Sequence, residues 1–126
     1  MTDGTTAAPP GRDDELLTLA TRPIDGGLLV EVAGEVDMLT TPELRAALTD
    51  ALARSPGRLV LDLTGVRFLG SSGIAVLVEV LEESRRSGTA LALVAASRGV
   101  LRPLRSTGLA DLFATHPDVA SALAAT

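Results

Sequence analysis

The sequence contains no cysteine, no lysine and a single histidine, His116. A chain without cysteine cannot form disulfides or thiolate metal sites, and one histidine leaves too few ligands for a typical zinc site. We therefore expect neither a metal nor a cofactor. A P-loop nucleotide site is also excluded, because that motif requires a lysine.

Aromatic residues are almost absent, since Phe68 and Phe113 are the only two. Base-stacking platforms and aromatic cation cages are therefore not available. The net charge is -5, and no basic cluster of the type that binds DNA or RNA is present. Direct contact with nucleic acid is not expected, so a role in transcription regulation would have to run through protein partners.

Long hydrophobic runs are missing as well. No uninterrupted apolar run approaches the roughly 18 residues of a membrane-spanning helix, and the N-terminus lacks the features of a secretory signal. We expect a cytoplasmic protein without membrane contact. Its 126 residues, 46% of them hydrophobic, suit one domain. Residues 1–14 have the composition of a disordered tail, which leaves residues 15–126 for the domain.

Two short apolar segments open the predicted domain. Leu16–Thr21 and Leu28–Val32 flank an Asp-Gly-Gly turn and predict a β-hairpin. A helix follows, for which Thr40 and Thr41 are alternative N-caps, and Glu43 is placed to form a capping box with Thr40.

The remaining chain alternates between strands and helices. The segment Arg58–Leu63 is apolar on both faces, which is typical of a central strand covered on both sides. Further elements are predicted at Gly73–Arg86 (helix), Leu91–Val94 (strand), Ser97–Thr107 (helix) and Asp118–Ala125 (helix). Pro103 is expected to kink or shorten its helix. The pattern predicts an α/β two-layer sandwich, with a mixed sheet of four to five strands, an N-terminal hairpin and about four helices.

Two adjacent serines precede the central helix. One of them, Ser71 or Ser72, is expected to be the helix N-cap and exposed. The positive end of the helix tolerates negative charge, so a phosphate could be added there without unfolding the domain. An ordinary, unmodified serine cap explains the same pattern.

The central helix has a possible docking surface. Ile74, Leu77, Val78 and Leu81 share one helical face and are predicted to be buried. That arrangement leaves Val76 and Glu79 outward, where Val76 would form a small docking patch for a partner. A single exposed valine is also normal on a monomeric protein.

Two further patterns bear on function. Arg98, Arg102 and Arg105 form a basic stripe that either complements an acidic partner or is an ordinary solvated face. The serine hydrolase motif Gly-x-Ser-x-Gly is not satisfied, because Ile74 stands where the second glycine is required. We therefore expect that the protein is not an enzyme.

Several motifs, in this order and spacing, resemble the STAS-domain family of anti-sigma factor antagonists. They are Gly34-Glu35-Val36-Asp37, Leu59-Val60-Leu61-Asp62-Leu63, Gly65-Val66-Arg67-Phe68-Leu69, Ser71-Ser72-Gly73-Ile74, and Ser97 through Thr107-Gly108-Leu109. The resemblance implies the STAS fold from about residue 16 to the C-terminus.

The resemblance also implies a partner-switching cycle that regulates transcription, for example in a stress response. The unphosphorylated protein would bind an anti-sigma factor of the histidine-kinase-like ATPase fold and release its sigma factor. That anti-sigma factor, acting as a serine kinase, would phosphorylate Ser71, with Ser72 as the second choice, and a PP2C-type phosphatase would reverse the step. The protein would be a monomer or a weak homodimer.

The residues expected to contact the partner surround the serine turn. They are Asp37, Gly70, Ser71, Ser72, Gly73, Val76 and Glu79. Asp37 matches an acidic family position, although a loop acid that helps to start the next helix fits equally well. Gly70 departs from the family, which commonly has aspartate there. This departure favours an alternative function, that of a non-phosphorylated STAS scaffold or a module that senses a small ligand or nucleotide.

Overall fold

The computed structural model describes residues 17–125, so the tail predicted for residues 1–14 lies outside the described residues. The strands are β1 (Leu17–Ile24), β2 (Gly27–Val36), β3 (Arg58–Leu69), β4 (Ala90–Val94) and β5 (Ala114–His116). The helices are α1 (Thr41–Ala53), α2 (Ser71–Ser87), α3 (Arg98–Ser106) and α4 (Val119–Ala124), with a 3-10 turn at Leu109–Asp111.

The five strands form one mixed sheet in the order β1-β2-β3-β4-β5. The predicted hairpin is confirmed, since β1 pairs antiparallel with β2 around a turn in which Gly26 has φ 79°. All other neighbours are parallel. The ends of β2, β3 and β4 therefore meet along one side, which we call the carboxyl end of the sheet, and the predicted α/β class is confirmed.

Both faces of the sheet carry apolar side chains, as its central strands predict. Val30, Leu61 and Leu93 belong to the main core, together with buried residues of α1, α2 and α3. Their neighbours Leu29, Val60 and Val94 form a second, smaller cluster with Ala122 of α4. The alternation along each strand places α4 on the opposite face from the main core.

Strand β3 is twice as long as the sequence pattern predicts, because it continues beyond Leu63 to Leu69. Its register against β2 shifts twice, and the first shift lies beside Asp62. There the Asp62 carboxylate accepts two hydrogen bonds from Thr64, one from the backbone N–H at 2.9 Å and one from the Thr64 hydroxyl at 2.7 Å. This side chain stabilises the irregular backbone and lets the strand reach the carboxyl end of the sheet.

Pro103 was expected to kink or shorten its helix; α3 runs through Pro103 over nine residues, so the helix is not shortened there. Val100 and Leu104 are fully buried and hold the helix on the core. The carbonyl of Pro103 accepts hydrogen bonds from the N–H and the hydroxyl of Thr107 at 3.1 and 2.7 Å. These bonds satisfy one of the backbone carbonyls in the last turn of the helix. Gly108 ends this segment with φ 80°, in agreement with its predicted position.

None of the helices described within residues 17–125 has both the length and the apolar character that a membrane span requires.

Candidate functional site

The serine turn lies where β3 meets α2. The Gly70 N–H donates to the carbonyl of Val36 at 2.8 Å, and Gly70 is the helix N-cap with an extended backbone, φ -85° and ψ 178°. The predicted serine N-cap is therefore wrong, since Ser71 and Ser72 are the first two helical residues. This bond continues the pairing of β2 with β3 to the ends of both strands, and the helix begins at Ser71, two residues before the predicted Gly73.

Ser71 is exposed and Ser72 is half-buried, so Ser71 is the more accessible hydroxyl. The N–H groups of a first helical turn have no partner within the helix, and they form its positive end. No acidic residue occupies the first turn of α2. The position of Ser71 therefore favours an added negative charge.

Gly73 was expected to contact a partner. It is buried in the fold and therefore offers little surface for that contact. A Cβ at Gly73 would lie 2.5 Å from Cγ1 of Val36 and 2.7 Å from Cδ1 of Leu69. Glycine is thus required for the close approach of α2 to the ends of β2 and β3. Its role is in packing.

Val76 is also fully buried, so the docking patch predicted for it is wrong. The buried face of α2 comprises Gly73, Val76, Leu77, Val80, Leu81 and Ser84. Ile74 and Val78, which were expected inside, are half-buried. Between Ile74 and Leu81 only Glu79 is polar, so hydrophobic periodicity alone does not identify the buried face of this helix. The close approach of Gly73 to Val36 and Leu69 decides which face is buried.

Glu79 is exposed, as predicted, and forms a two-point ion pair with Arg45 of α1. Nε of Arg45 lies 3.0 Å from Oε1 and Nη2 lies 3.3 Å from Oε2. The hydrogen bond from Arg45 holds the pKa of the Glu79 carboxyl below its usual range. Glu79 therefore joins the outer surfaces of α1 and α2, and its contact with a partner stays a prediction.

Asp37 orders the loop between β2 and α1. Its Oδ1 accepts hydrogen bonds from the N–H of Leu39 at 2.9 Å and of Thr40 at 3.2 Å. The Thr40 hydroxyl accepts from the N–H of Asp37 at 2.9 Å and donates to the carbonyl of Glu35 at 2.8 Å. Thr40 is the N-cap residue of α1, but its side chain makes no cap bond, so the predicted capping box is wrong. Asp37 helps to start the helix, and its contact with a partner remains untested.

Three large apolar side chains are exposed at this end of the sheet, and sequence reasoning missed all three. Met38 is 80% exposed, Leu39 is 77% exposed and Phe68 is 51% exposed. Phe68 pairs with Glu35 in the sheet register, and its ring lies beside Gly70. We call these residues the apolar rim. The available signal was the Met-Leu pair between the end of a strand and the start of a helix, where solvent exposure is expected.

The described residues contain no group of three or more His, Asp or Glu side chains placed to hold a metal ion. The chemistry of this region is therefore that of a serine hydroxyl at a helix start, an acidic loop anchor and an exposed apolar surface.

The family model of the STAS domain matches residues 18–122. The chain belongs to the STAS domain family. This STAS domain is 34% identical over 104 residues to the anti-sigma-F factor antagonist RsfA of Mycobacterium tuberculosis, a match that covers 81% of each chain. It is 33% identical over 81 residues to the anti-sigma-B factor antagonist of Listeria monocytogenes, covering 64% of this chain and 71% of the relative. The resemblance to STAS-domain anti-sigma factor antagonists is confirmed.

Solved structures agree with this assignment. An anti-sigma factor antagonist from Mycobacterium paratuberculosis superimposes with a TM-score of 0.83 at 36% identity, over 88% of this STAS domain chain and 94% of that chain. The unphosphorylated form of the antagonist SpoIIAA gives a TM-score of 0.69 at 16% identity, over 84% and 93% of the two chains. The second comparison bears on the fold alone.

Proposed function

We propose that this STAS domain is a cytoplasmic, non-enzymatic anti-sigma factor antagonist whose binding is switched off by phosphorylation of Ser71. The unphosphorylated form binds an anti-sigma factor and thereby frees the sigma factor. The names of the relatives from Mycobacterium and Listeria support the first part of the proposal. The second part rests on the position of Ser71 and on the resemblance of its motif to the family.

The observation that carries the proposal is the placement of Ser71 beside the apolar rim. An exposed hydroxyl lies at the positive end of α2, and the N-cap before it is bonded to Val36, the last residue of β2. The loop that follows β2 presents Met38 and Leu39. A partner that covers these apolar side chains also covers Ser71.

The switch follows from the charge of a phosphate. A phosphoserine carries about -1.5 to -2 charges, which must be desolvated if a partner covers it. A loss of about 3 to 4 kcal/mol in binding free energy weakens an interaction a few hundred-fold or more. One phosphate at Ser71 is therefore sufficient to exchange partners.

The partners of this cycle follow from the same proposal. The anti-sigma factor has a histidine-kinase-like ATPase fold and acts as the serine kinase, and a PP2C-type phosphatase removes the phosphate. Ser71 is the acceptor because it is exposed, whereas Ser72 is half-buried. In this cycle the protein itself contacts neither nucleic acid nor a membrane.

The test combines intact mass with a binding titration. The protein is incubated with ATP and the candidate anti-sigma factor, a histidine-kinase-like ATPase from the same genome. We expect one added phosphate in the wild type and in Ser72→Ala, and none in Ser71→Ala. In the titration, Ser71→Ala binds the anti-sigma factor and Ser71→Asp does not. Equal binding by these two variants contradicts the switch.

The alternative function is a STAS scaffold or small-ligand sensor without a phosphate cycle. The specific observation that favours it is Gly70, which replaces the aspartate common in the family. Wild-type protein that binds the anti-sigma factor but gains no phosphate in the mass experiment would support this alternative.

A further inference from the structure

The eleven arginines of this protein differ in whether a carboxylate lies beside them. Five of them form ion pairs, namely Arg22–Glu31, Arg45–Glu79, Arg54–Asp50, Arg67–Glu35 and Arg86–Glu83. In contrast, Arg98, Arg102 and Arg105 of α3 are exposed, and none of them has a carboxylate of residues 17–125 within 4.0 Å. Arg58 and Arg85 also form no ion pair with residues 17–125, but α3 is the described helix that carries three such arginines, in a chain with a net charge of -5.

The sequence explains the absence of local partners. Between Glu83 and Asp111 the chain has no acidic residue. No acid on α3 itself, on β4 or on the segments that join β4 to its neighbouring helices is therefore available to neutralise the three guanidinium groups. The basic stripe predicted from the spacing of these arginines is thus present on the folded surface.

The three arginines line a cleft that also has apolar walls. Its volume is about 590 Å³, and the other lining residues are Ala96, Leu101 and Ser106. Leu101 is half-buried, so its side chain offers apolar surface beside the charged groups. We call this feature the basic cleft.

The basic cleft is held against the strand that leads to the serine turn. The Ser97 hydroxyl donates to the carbonyl of Val66 at 3.2 Å. A Cβ at Gly99 would lie 2.2 Å from the carbonyl oxygen of Arg67, so the start of α3 lies directly on β3. Two residues after Arg67 the strand ends at Leu69, and Gly70 begins the serine turn. The start of α3, which carries the first arginine of the cleft, is therefore packed against the strand that leads to the serine turn.

We propose that the basic cleft binds an acidic segment of the anti-sigma factor, as a second docking contact beside the apolar rim. This inference rests on the proposed function and names a further recognition element of the same partner. Guanidinium groups match carboxylates through paired hydrogen bonds, and Leu101 and Ala96 can receive an apolar side chain between the acids. The contact steers and orients the partner, whereas Ser71 decides whether it binds.

An acidic protein segment fits the cleft better than a nucleic acid does. The cleft has no aromatic residue on which a base could stack, and the rest of the molecule is acidic. Nucleic-acid binding usually draws on a larger basic surface, because many phosphates must be neutralised. Three arginines instead match a short run of Asp or Glu.

The experiment compares two triple variants with the same net charge. Arg98→Gln/Arg102→Gln/Arg105→Gln removes the basic cleft. Arg22→Gln/Arg54→Gln/Arg86→Gln removes three exposed arginines elsewhere, whose ion pairs are of the kind that contributes little to stability. Binding of the candidate anti-sigma factor is titrated at low and at high salt. We expect about tenfold weaker binding of the cleft variant at low salt, a difference that shrinks at high salt, and nearly wild-type binding of the control.

Several outcomes overturn the proposal, and they differ from failure of the proposed function. If the wild type binds, Ser71→Asp does not, and the cleft variant binds like the control, the cleft is not a docking contact although the switch stands. If the wild type does not bind at all, the proposed function fails. If the wild type binds single-stranded RNA and the cleft variant does not, the occupant is a nucleic acid. Removal of residues 1–16 is a further test. If it strengthens binding of the anti-sigma factor to the protein with the intact cleft but not to the cleft variant, the cleft instead holds the acidic run Asp13-Asp14-Glu15.

Discussion

The N–H of Gly70 and the carbonyl of Val36 are joined by a hydrogen bond of 2.8 Å. This bond connects the start of α2 to the end of β2, two segments that are far apart in the sequence. As a result, the serine turn and the loop with Met38 and Leu39 lie at the same end of the sheet.

Gly73→Ala should destabilise the protein. In a helix, alanine is normally more favourable than glycine by about 1 kcal/mol. A loss of stability would therefore have to come from the contact of the added Cβ with Val36. The added Cβ would lie 2.5 Å from Cγ1 of Val36, and overpacking of this kind typically costs about 1–3 kcal/mol. Chemical denaturation measures the change. The double variant with Val36→Ala should recover part of the loss, and an increase in stability of the single variant would be inconsistent with the packing.

Gly70→Asp should restore the family pattern without harm to the fold. The backbone at Gly70 suits any residue, and the nearest obstacle to a Cβ is the exposed ring of Phe68 at 3.1 Å. An aspartate N-cap should raise stability by a few tenths of a kcal/mol, and its carboxylate gives the kinase a recognition group that the wild type lacks.

We therefore expect faster phosphorylation of Gly70→Asp at Ser71, measured by the time course of intact mass. Gly70→Asn is the matched control, because it supplies a cap without the charge. If both variants are phosphorylated at the wild-type rate, the kinase does not recognise a carboxylate at position 70.

Met38→Ser/Leu39→Ser should weaken binding of the anti-sigma factor about tenfold or more while leaving the melting temperature unchanged. Both side chains are exposed in the free protein, so their loss removes contact area only from the complex. Calorimetric titration and thermal melting provide the two measurements. Leu112→Ser is the control, since Leu112 is 51% exposed and precedes β5 at the other end of the sheet. Equal effects of the two changes would argue against the apolar rim.

Glu79→Gln should lower the melting temperature at neutral pH, and the difference from wild type should vanish in acid. The hydrogen bond from Arg45 lowers the folded-state pKa of Glu79. A lowered pKa stabilises the folded state above the unfolded pKa, and this contribution is lost as the pH falls through the folded value. Melting curves between about pH 7 and pH 3 follow the effect. Glu82→Gln, an exposed acid on the same helix, is the control, and an equal pH dependence for both variants would exclude the ion pair as the cause.

Much of the fold could be predicted because strands and helices leave different periodicities. The hairpin, α1, α2, β4 and α3 all lie close to their predicted positions. The second half of β3 was missed because its register shifts break the alternation on which a strand is recognised. The three-residue strand β5 is too short to leave a pattern.

The site was predicted less completely, and the reasons are specific. Val76 was placed outside because a helix with apolar residues on most sides has no unique buried face in the sequence. The apolar rim was missed because exposure of Met38 and Leu39 depends on the loop that Asp37 holds. The basic stripe and the absence of acids near it in the chain were visible in the sequence, whereas the absence of acidic partners from distant segments of residues 17–125 required the folded structure.

By itself, the sequence determined the family, the order of the longer elements and the candidate acceptor Ser71, because motifs and local periodicity depend only on the order of residues along the chain. Only the tertiary structure decided which side of α2 is buried, that Gly70 is the N-cap, that the serine turn and the apolar rim lie at one end of the sheet, and that α3, with its basic cleft, begins against β3. The physical reason is that these properties depend on contacts between distant segments. The Gly70–Val36 hydrogen bond, the packing of Gly73 and the contact of Gly99 with Arg67 are such contacts.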